Sequence, residues 1–333
     1  MMRAARLREA GGLESIEIEE IPRAKPADGE AVVRIAAAAF NRRDVFITQG
    51  LYPNITLPVT LGSDGAGVVA SVAAGSGQWS VGDAVVINPM LDWGDDPLVW
   101  GPRASILGMP HDGTFAEYVS VPVANLYPKP QGLSMEEAAA VPLAGLTAYR
   151  ALFTRGSLKE GETVLLPGIG GGVQTFALIF AKAAGARTIV TSGSEAKLSQ
   201  ARAFGADYAL NYNAMPDWHK EIRRIAPVDL VVDSSGGDTL NKAIGTVRPG
   251  GRIVVYGGTR SESTFRLFPL FWNHIDIRGT SMGTPQDFAE MLRLFERGLK
   301  PAIDGVYRLD EVVAAATRMA SGDQFGKIVL RIG

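Results

Sequence analysis

The chain has 333 residues, 46 % hydrophobic and 20 % charged, which is the composition of a globular protein with a real core and room for two domains. Its 33 basic and 35 acidic residues leave a net charge of −2, which points to neither nucleic acid nor an anionic membrane as partner. It has no cysteine, which excludes disulfides and thiolate metal sites, and its three histidines, His111, His219 and His274, form no short-spaced pair. The segment "MMRAARLREAGGLESIEI" lacks the apolar core of a signal peptide, and no apolar run reaches the length of a membrane span. The cytoplasm is the expected compartment.

Residues 15–22, "SIEIEEIP", alternate apolar and polar and stop at Pro22, which is strand periodicity. Short strands follow at "EAVVRIAA", "GVVASVAAG", "DAVVINP" and "TFAEYVSVP", each bounded by turn residues. Such closely spaced strands predict an antiparallel barrel or sandwich over roughly the first 125 residues, interrupted by one short helix at "NRRDVFITQG". "SMEEAAAVPLAGLTAYRALF" reads as one helix, with Ser134 as N-cap and Glu137 completing a capping box.

Strands then alternate with helices. "ETVLLPG", "ARTIVTSG", "YALNY", "VDLVVDSSG" and "GRIVVYGG" read as strands, with helices at "GGVQTFALIFAKAAG", "SEAKLSQARAFG" and "DTLNKAIGTVRPG". This alternation of helices with continuous apolar strands predicts a doubly wound parallel sheet. "HIDIRGTS" is a candidate sixth strand. "TPQDFAEMLRLFERG" is a helix with Thr284 as cap and Pro285 at its first position, "DEVVAAATRMASG" is a further helix, and "GKIVLRI" closes the chain as a strand.

The strand "TVLLPG" runs directly into "IGGGV" and then into a helix. That setting places a pyrophosphate on a helix N-terminus, where free N–H groups and the helix dipole face the anion. Gly168 makes the tight turn, Gly170 and Gly171 leave room for the phosphates, and Gly172 and Val173 let the helix pack on the strand. The third glycine of the G-x-G-x-x-G pattern is replaced by Val173. An acid at the tip of the second strand would bind an NAD ribose. The tip here is Ser192, with Ser194 and Lys197 following and Tyr212 at the end of the third strand. Small hydroxyls and a lysine accept a 2′-phosphate, so NADP(H) is the expected cofactor. Ser194 as a plain helix cap and Lys197 as a solvated first-turn residue remain open alternatives.

The segments "NRRDVFITQGLYP", "LGSDGAGVVASV", "VGDAVVINP", "GTFAEYVSVP", "AAAVPLAGLTAYRAL", "GIGGGV" and "FGKIVLRI" together resemble the medium-chain dehydrogenase/reductase superfamily, and the resemblance covers nearly the whole chain. It implies a GroES-like, mainly antiparallel β-barrel catalytic domain over residues 1–127 and 272–333, and a Rossmann dinucleotide-binding domain over residues 128–271. Zinc alcohol dehydrogenases of the superfamily hold catalytic zinc with a Cys, a His-Glu pair and a second Cys. By alignment those positions are Asn41, Ser63-Asp64 and Leu143, and a relay hydroxyl position is Arg43. Asp64 alone cannot hold zinc. The four closely spaced cysteines of the structural zinc lobe are also missing from "MLDWGDDPLVWGPRASILG", whose Asp92, Asp95 and Asp96 read as a solvated acidic loop and whose Trp93 and Trp100 either pack that lobe or line a partner surface. His111 reads as a loop residue. No metal is expected.

The deviations resemble the zinc-free quinone oxidoreductase branch. The implied activity is transfer of hydride or electrons from NADPH to quinones or α,β-unsaturated carbonyls. The alternatives are an alcohol or aldehyde dehydrogenase and a catalytically weak, crystallin-like NADPH-binding protein. The resemblance places Asn41, Asp44 and Thr147 near the nicotinamide and its ribose, and Lys327 on the nicotinamide side. Tyr52 either meets a quinone oxygen or packs beside Pro53, and Arg43 either attracts an anionic oxygen or lies on the helix surface. Ser234 and Ser235 at the end of the fourth strand, and Tyr256, Gly257 and Gly258 at the end of the fifth, belong to strand tips that line the cofactor crevice. Phe271 and Trp272 either close over the cofactor or face a second subunit. The expected assembly is a homodimer in which "HIDIRGTS" pairs with its symmetry mate.

Overall fold

The structure, a computed structural model, describes residues 1–74 and 77–333. Gly75, the last residue of the expected strand "GVVASVAAG", lies outside the described residues. Backbone contacts divide the chain into one unit of residues 1–144 with 284–333 and a second of residues 145–283.

The first unit begins with β1 (Met2–Leu7), β2 (Ile16–Ile21), β3 (Glu30–Ala39), α1 (Arg42–Thr48), β4 (Val59–Thr60) and β5 (Asp64–Val72). It continues through β6 (Ala84–Ile87), β7 (Met90–Leu91), β8 (Ser105–Ile106), β9 (Tyr118–Pro122), β10 (Leu126–Pro128) and α2 (Met135–Ala140). The N-cap of α2 is reciprocal: Ser134 Oγ accepts from Glu137 N–H at 3.1 Å, and Glu137 Oε2 accepts from Ser134 N–H at 2.8 Å. The single helix expected over residues 134–153 is broken in the structure. Pro142 has no N–H to continue α2, so it opens a new helix, α3 (Pro142–Tyr149), which runs on into a π-turn at Arg150–Thr154.

The second unit alternates strand and helix as expected. Its elements are β11 (Thr163–Leu166), α4 (Gly172–Ala183), β12 (Arg187–Ser192), α5 (Glu195–Ala203), β13 (Tyr208–Asn211), α6 (Trp218–Ile225), β14 (Val228–Asp233), α7 (Gly237–Ile244), β15 (Val247–Val255), α8 (Leu267–Trp272) and β16 (Asp276–Gly279). Its strands pair in parallel in the order β13-β12-β11-β14-β15-β16. The order reverses at β11, which puts the crevice of a doubly wound sheet at that strand's carboxyl end. Val164, Leu165, Leu166, Ile189, Val190, Val231, Val232 and Ile253 are buried, as expected for strands covered on both faces.

The chain then returns to the first unit with α9 (Pro285–Glu296), β17 (Ile303–Arg308), α10 (Val312–Ser321) and β18 (Lys327–Arg331). The main sheet of that unit runs β10-β6-β5-β3-β18-β17, with β9 also on β3, and all its pairings except β17 with β18 are antiparallel. Its core holds Val33, Ile35, Val69, Val85, Ile87, Ile328 and Leu330, with the Phe40 and Phe115 rings 4.5 Å apart. Burying each such side chain contributes roughly 1.5–3 kcal/mol.

The unit boundaries fall later than the expected 127/128 and 271/272. α2 packs on β3, β5 and β18 and so stays with the barrel, and β16 pairs with β15 and so stays with the parallel sheet. β1, β17, α6 and α8 had no sequence forecast. In α8 Leu267, Phe268, Phe271 and Trp272 are exposed and only Leu270 packs on the core, so no buried face imprints a period on that segment.

Candidate functional site

Strand β3 ends at Ala39, and Asn41 then caps α1, whose first turn carries Arg43 and Asp44. Asp64 opens β5, which pairs with β3 so that Ala39 faces Asp64. Lys327 opens β18, on the other side of β3. The register of three strands thus brings Asn41, Asp64 and Lys327 together. Lys327 Nζ donates to Asp64 Oδ2 at 2.8 Å and to Asn41 Oδ1 at 2.7 Å. Asn41 Nδ2 donates to the same Asp64 oxygen at 2.9 Å, and Leu143 N–H donates to Asp64 Oδ1 at 2.8 Å. The exposures are 1 % for Lys327, 0 % for Asp64 and 7 % for Asn41.

Asp44 lies beside this cluster, 1 % exposed. Its Oδ2 accepts from Asn41 N–H at 2.8 Å, and its buried Oδ1 has no partner among the described residues. Burial pushes the carboxyl up to about 6, and the nearby Asp64 charge adds to the rise, whereas Arg43, the Asn41 N–H and Lys327 oppose it.

Arg43 is neither a helix-surface residue nor free to attract an anionic oxygen. The residue is 8 % exposed, and its guanidinium donates to Ser63 Oγ at 2.6 Å, Leu107 O at 2.9 Å and Met109 O at 3.1 Å. Tyr52 is half-buried under it, with the guanidinium carbon 4.9 Å from the ring centroid and the hydroxyl 3.4 Å from Arg43 Nε.

In the second unit the glycine run forms the turn between β11 and α4. Gly168 (φ 72°) and Gly170 (φ 133°) hold left-handed backbone that a side chain would strain. Gly171 is the N-cap of α4, which starts at Gly172 and Val173. Gln174, unforeseen in the sequence, pins the turn by donating to Pro167 O at 3.0 Å and Val232 O at 2.9 Å. A cleft of about 480 Å³ adjoins the turn. Gly168, Tyr212 and Ser235 line it together with Thr191, Lys242 and Arg260, which sequence reasoning missed. A cleft of this size beside a strained glycine turn and a helix N-terminus fits a dinucleotide.

Ser192 and Ser194 have local partners. Ser192 Oγ accepts from Ser194 N–H at 3.2 Å, and Ser194 caps α5, accepting from Lys197 N–H at 3.4 Å. Glu195, the first residue of α5, accepts from Asn211 Nδ2 at 2.7 Å. Asp233 ends β14 and turns the chain at Ser234 and Ser235. Its carboxylate accepts from Ser235 N–H at 3.1 Å and Gly236 N–H at 3.0 Å, and burial holds it above the usual carboxylate range. An acid closing an apolar strand was the signal for this anchor. Tyr256, Gly257 and Gly258 follow β15, and burial raises the Tyr256 hydroxyl above its usual range. Thr147 is buried in α3. The acidic loop closes on itself, with Asp92 paired to Arg103 at 2.8 Å and Asp96 O accepting from Trp93 Nε1 at 2.8 Å.

The residues at the aligned zinc positions do not fit that metal. Both Asp64 oxygens face N–H donors, and an ammonium stands against one of them. Ser63 Oγ accepts from Arg43, and Leu143 brings only its backbone N–H. Zinc requires three or four lone-pair donors converging on one point. Among the described residues, no group of three or more His, Asp or Glu could hold a metal ion. None of the described helices is long and apolar enough to cross a membrane.

Residues 27–131 match the family model of the alcohol dehydrogenase GroES-like domain, and residues 172–297 that of a zinc-binding dehydrogenase. The chain is 33 % identical over 340 residues to zinc-type alcohol dehydrogenase-like protein YogA of Leptosphaeria maculans, covering 95 % of this chain and 94 % of the relative. It is 30 % identical over 332 residues to an acryloyl-coenzyme A reductase of Sulfurisphaera tokodaii, covering 96 % and 98 %. A solved NAD-dependent alcohol dehydrogenase, 39 % identical, superposes with a TM-score of 0.94 over 100 % of both chains. The 2-octenoyl-CoA carboxylase reductase CinF, solved with NADP and 2-octenoyl-CoA, is 26 % identical with a TM-score of 0.89, covering 99 % and 87 %.

Proposed function

The chain is an oxidoreductase of the medium-chain dehydrogenase/reductase superfamily, and we propose that it is a zinc-independent, NADPH-dependent reductase of quinones or α,β-unsaturated carbonyls. The observation that carries this reading is the clamp on Asp64. Lys327 and Asn41 both donate to its Oδ2 and the Leu143 N–H to its Oδ1, so the one carboxylate among the aligned zinc positions is held against an ammonium rather than offered to a metal. Without a Lewis acid, alcohol oxidation loses the group that lowers the alcohol pKa. Conjugated acceptors need less help, because charge spreads as they are reduced. The chain's likeness to an acryloyl-coenzyme A reductase and to the 2-octenoyl-CoA carboxylase reductase favours the same acceptor class.

The reduced nicotinamide supplies the hydride. The chain supplies the cradle and the alignment. In this reading Gly168, Gly170, Gly171, Gly172 and Val173 hold the pyrophosphate. Ser192, Ser194, Lys197 and Tyr212 hold the adenosine end, Thr147, Ser234, Ser235, Tyr256, Gly257, Gly258 and Lys327 line the remainder, and Asn41, Asp44 and Tyr52 serve the acceptor. NADPH is preferred over NADH because β12 ends without an acid, and because Arg260 adds positive charge to the cleft wall, where Lys242 is paired to Asp238 at 2.8 Å. The protein works as a cytoplasmic homodimer through the open edge of β16.

A second reading is an NAD-dependent alcohol dehydrogenase. It is favoured by the name of the 39 % identical structure and by the Glu195 carboxylate three residues past Ser192. Initial rates separate the two. The protein is given NADPH or NADH with 9,10-phenanthrenequinone, 2-cyclohexen-1-one or a saturated aldehyde. Quinone or enone turnover with NADPH supports the reductase, and turnover of the aldehyde alone with NADH supports the second reading.

A further inference from the structure

The Asn41–Asp64–Lys327 cluster has a definite polarity. Lysine only donates and carboxylate only accepts, so the Asn41 amide between them has one orientation, with Oδ1 toward Lys327 and Nδ2 toward Asp64. An ammonium carries three N–H groups and a carboxamide two. Lys327 uses two of its three and Asn41 one of its two, and neither residue has another side-chain partner among the described residues. Two N–H donors, one of them charged, are therefore unpaired on side chains more than nine-tenths buried. Donors left this way are costly unless something accepts from them. The partner they call for is an oxygen with lone pairs.

We propose that Lys327 and Asn41 form a two-donor site for the carbonyl or quinone oxygen of the acceptor, with the lysine ammonium standing in for the positive charge that zinc provides in metal-dependent relatives. Asp64 is the positioning residue that fixes both donors. This rests on the reductase reading above and names how that site recognises its substrate.

The chemistry balances for an enone. The β-carbon gains a C–H bond with the two electrons of hydride from the reduced nicotinamide cofactor, which is oxidised. The C=C pair moves into the C–C=O system, and negative charge grows on the carbonyl oxygen. Lys327 and Asn41 donate to that oxygen as it becomes an enolate. A proton from water then closes the α-carbon. Fixed donors in a desolvated site oppose no reorganisation at that moment and so act on kcat.

The experiment uses the full-length protein with two readouts. One is steady-state reduction of 2-cyclohexen-1-one. The other is binding of isobutyramide, a carbonyl that cannot be reduced, to the complex with NADPH, read from reduced-cofactor fluorescence. Lys327→Met is expected to lower kcat about 100-fold and abolish isobutyramide binding at saturating NADPH. Lys327→Arg keeps the charge and is expected to recover part of both. If Lys327→Met does not fold, the double variant Lys327→Met/Asp64→Asn removes both charges together and is read the same way. A folded variant with kcat within threefold of the parent and isobutyramide still bound would overturn the proposal and leave Lys327 a purely structural residue. Should the parent reduce neither enone nor quinone, the reductase reading falls, and isobutyramide alone decides. Binding lost on substitution upholds the donor site, and no binding to the parent refutes it.

Discussion

The Lys327 ammonium and the Asp64 carboxylate meet at 2.8 Å, both buried, across 263 residues of sequence. Such a pair contributes little net stability as a pair, because both charges have left water. Breaking it is another matter, because one charge is then stranded. Asp64→Asn and Lys327→Met are each expected to destabilise the fold by about 3–5 kcal/mol, and Lys327→Met/Asp64→Asn to cost far less than the sum of the two. Urea unfolding of the two single variants and the double variant closes the cycle. Simple additivity of the single effects would show that the two groups do not depend on each other.

Asp44 makes stability depend on pH in the sense opposite to a salt-bridged carboxylate. Its folded pKa is about 6 against an ordinary 3.8, so between these values the folded chain holds a proton that the unfolded chain has lost. This contribution is fully favourable at low pH and is lost as pH rises through that window, by on the order of 3 kcal/mol at most. Asn at this position still offers an oxygen to the Asn41 N–H and never ionises. Asp44→Asn is therefore expected to raise Tm at pH 8 and change it little at pH 4, and to lower reductase activity if the carboxyl serves the acceptor. Equal Tm shifts at both pH values would contradict the assignment.

The adenosine end of the cleft is testable by charge removal. Arg260→Ala and Lys197→Ala are each expected to weaken NADPH binding roughly tenfold, one charge-assisted contact being worth about 1.5 kcal/mol, and to leave NADH nearly unchanged. Calorimetric titration of both cofactors gives the ratio. Equal losses for NADPH and NADH would remove that residue from 2′-phosphate recognition.

The assembly prediction turns on α8 and β16. Leu267, Phe268, Phe271 and Trp272 are exposed, the Phe268 and Trp272 rings stack at 5.4 Å, and β16 is the edge of its sheet. An exposed apolar cluster beside an open edge is an association surface. Trp272→Glu is expected to convert a dimer into a monomer in sedimentation velocity at micromolar concentration. A parent chain that sediments as a monomer throughout a dilution series would contradict the dimer.

What the sequence made legible was local or periodic. The glycine turn, the apolar parallel strands and the Ser134–Glu137 box each lie within a few residues, and each stands where expected. Pro142 was equally visible, yet the alanine-rich run around it masked the break between α2 and α3. The clamp on Asp64 was not legible. Its partners come from α1, β18 and the start of α3, and only the register of β5, β3 and β18 brings them together. Arg43 was misjudged for the same reason: the acceptors that bury it belong to segments 20 to 66 residues away. Gly193 is a subtler case, since a Cβ there would come within 2.8 Å of the Tyr212 ring, a contact that spacing alone does not reveal.

The measurement that bears most directly on the central claim is NADPH oxidation by 9,10-phenanthrenequinone, run with metal-stripped protein and repeated after one equivalent of zinc is added. The account predicts turnover in the stripped protein and no increase with zinc, because Asp64 is already paired to the Lys327 ammonium and accepts from Asn41 and the Leu143 N–H. Turnover that begins only when zinc is added would contradict it and return the protein to metal-dependent alcohol chemistry.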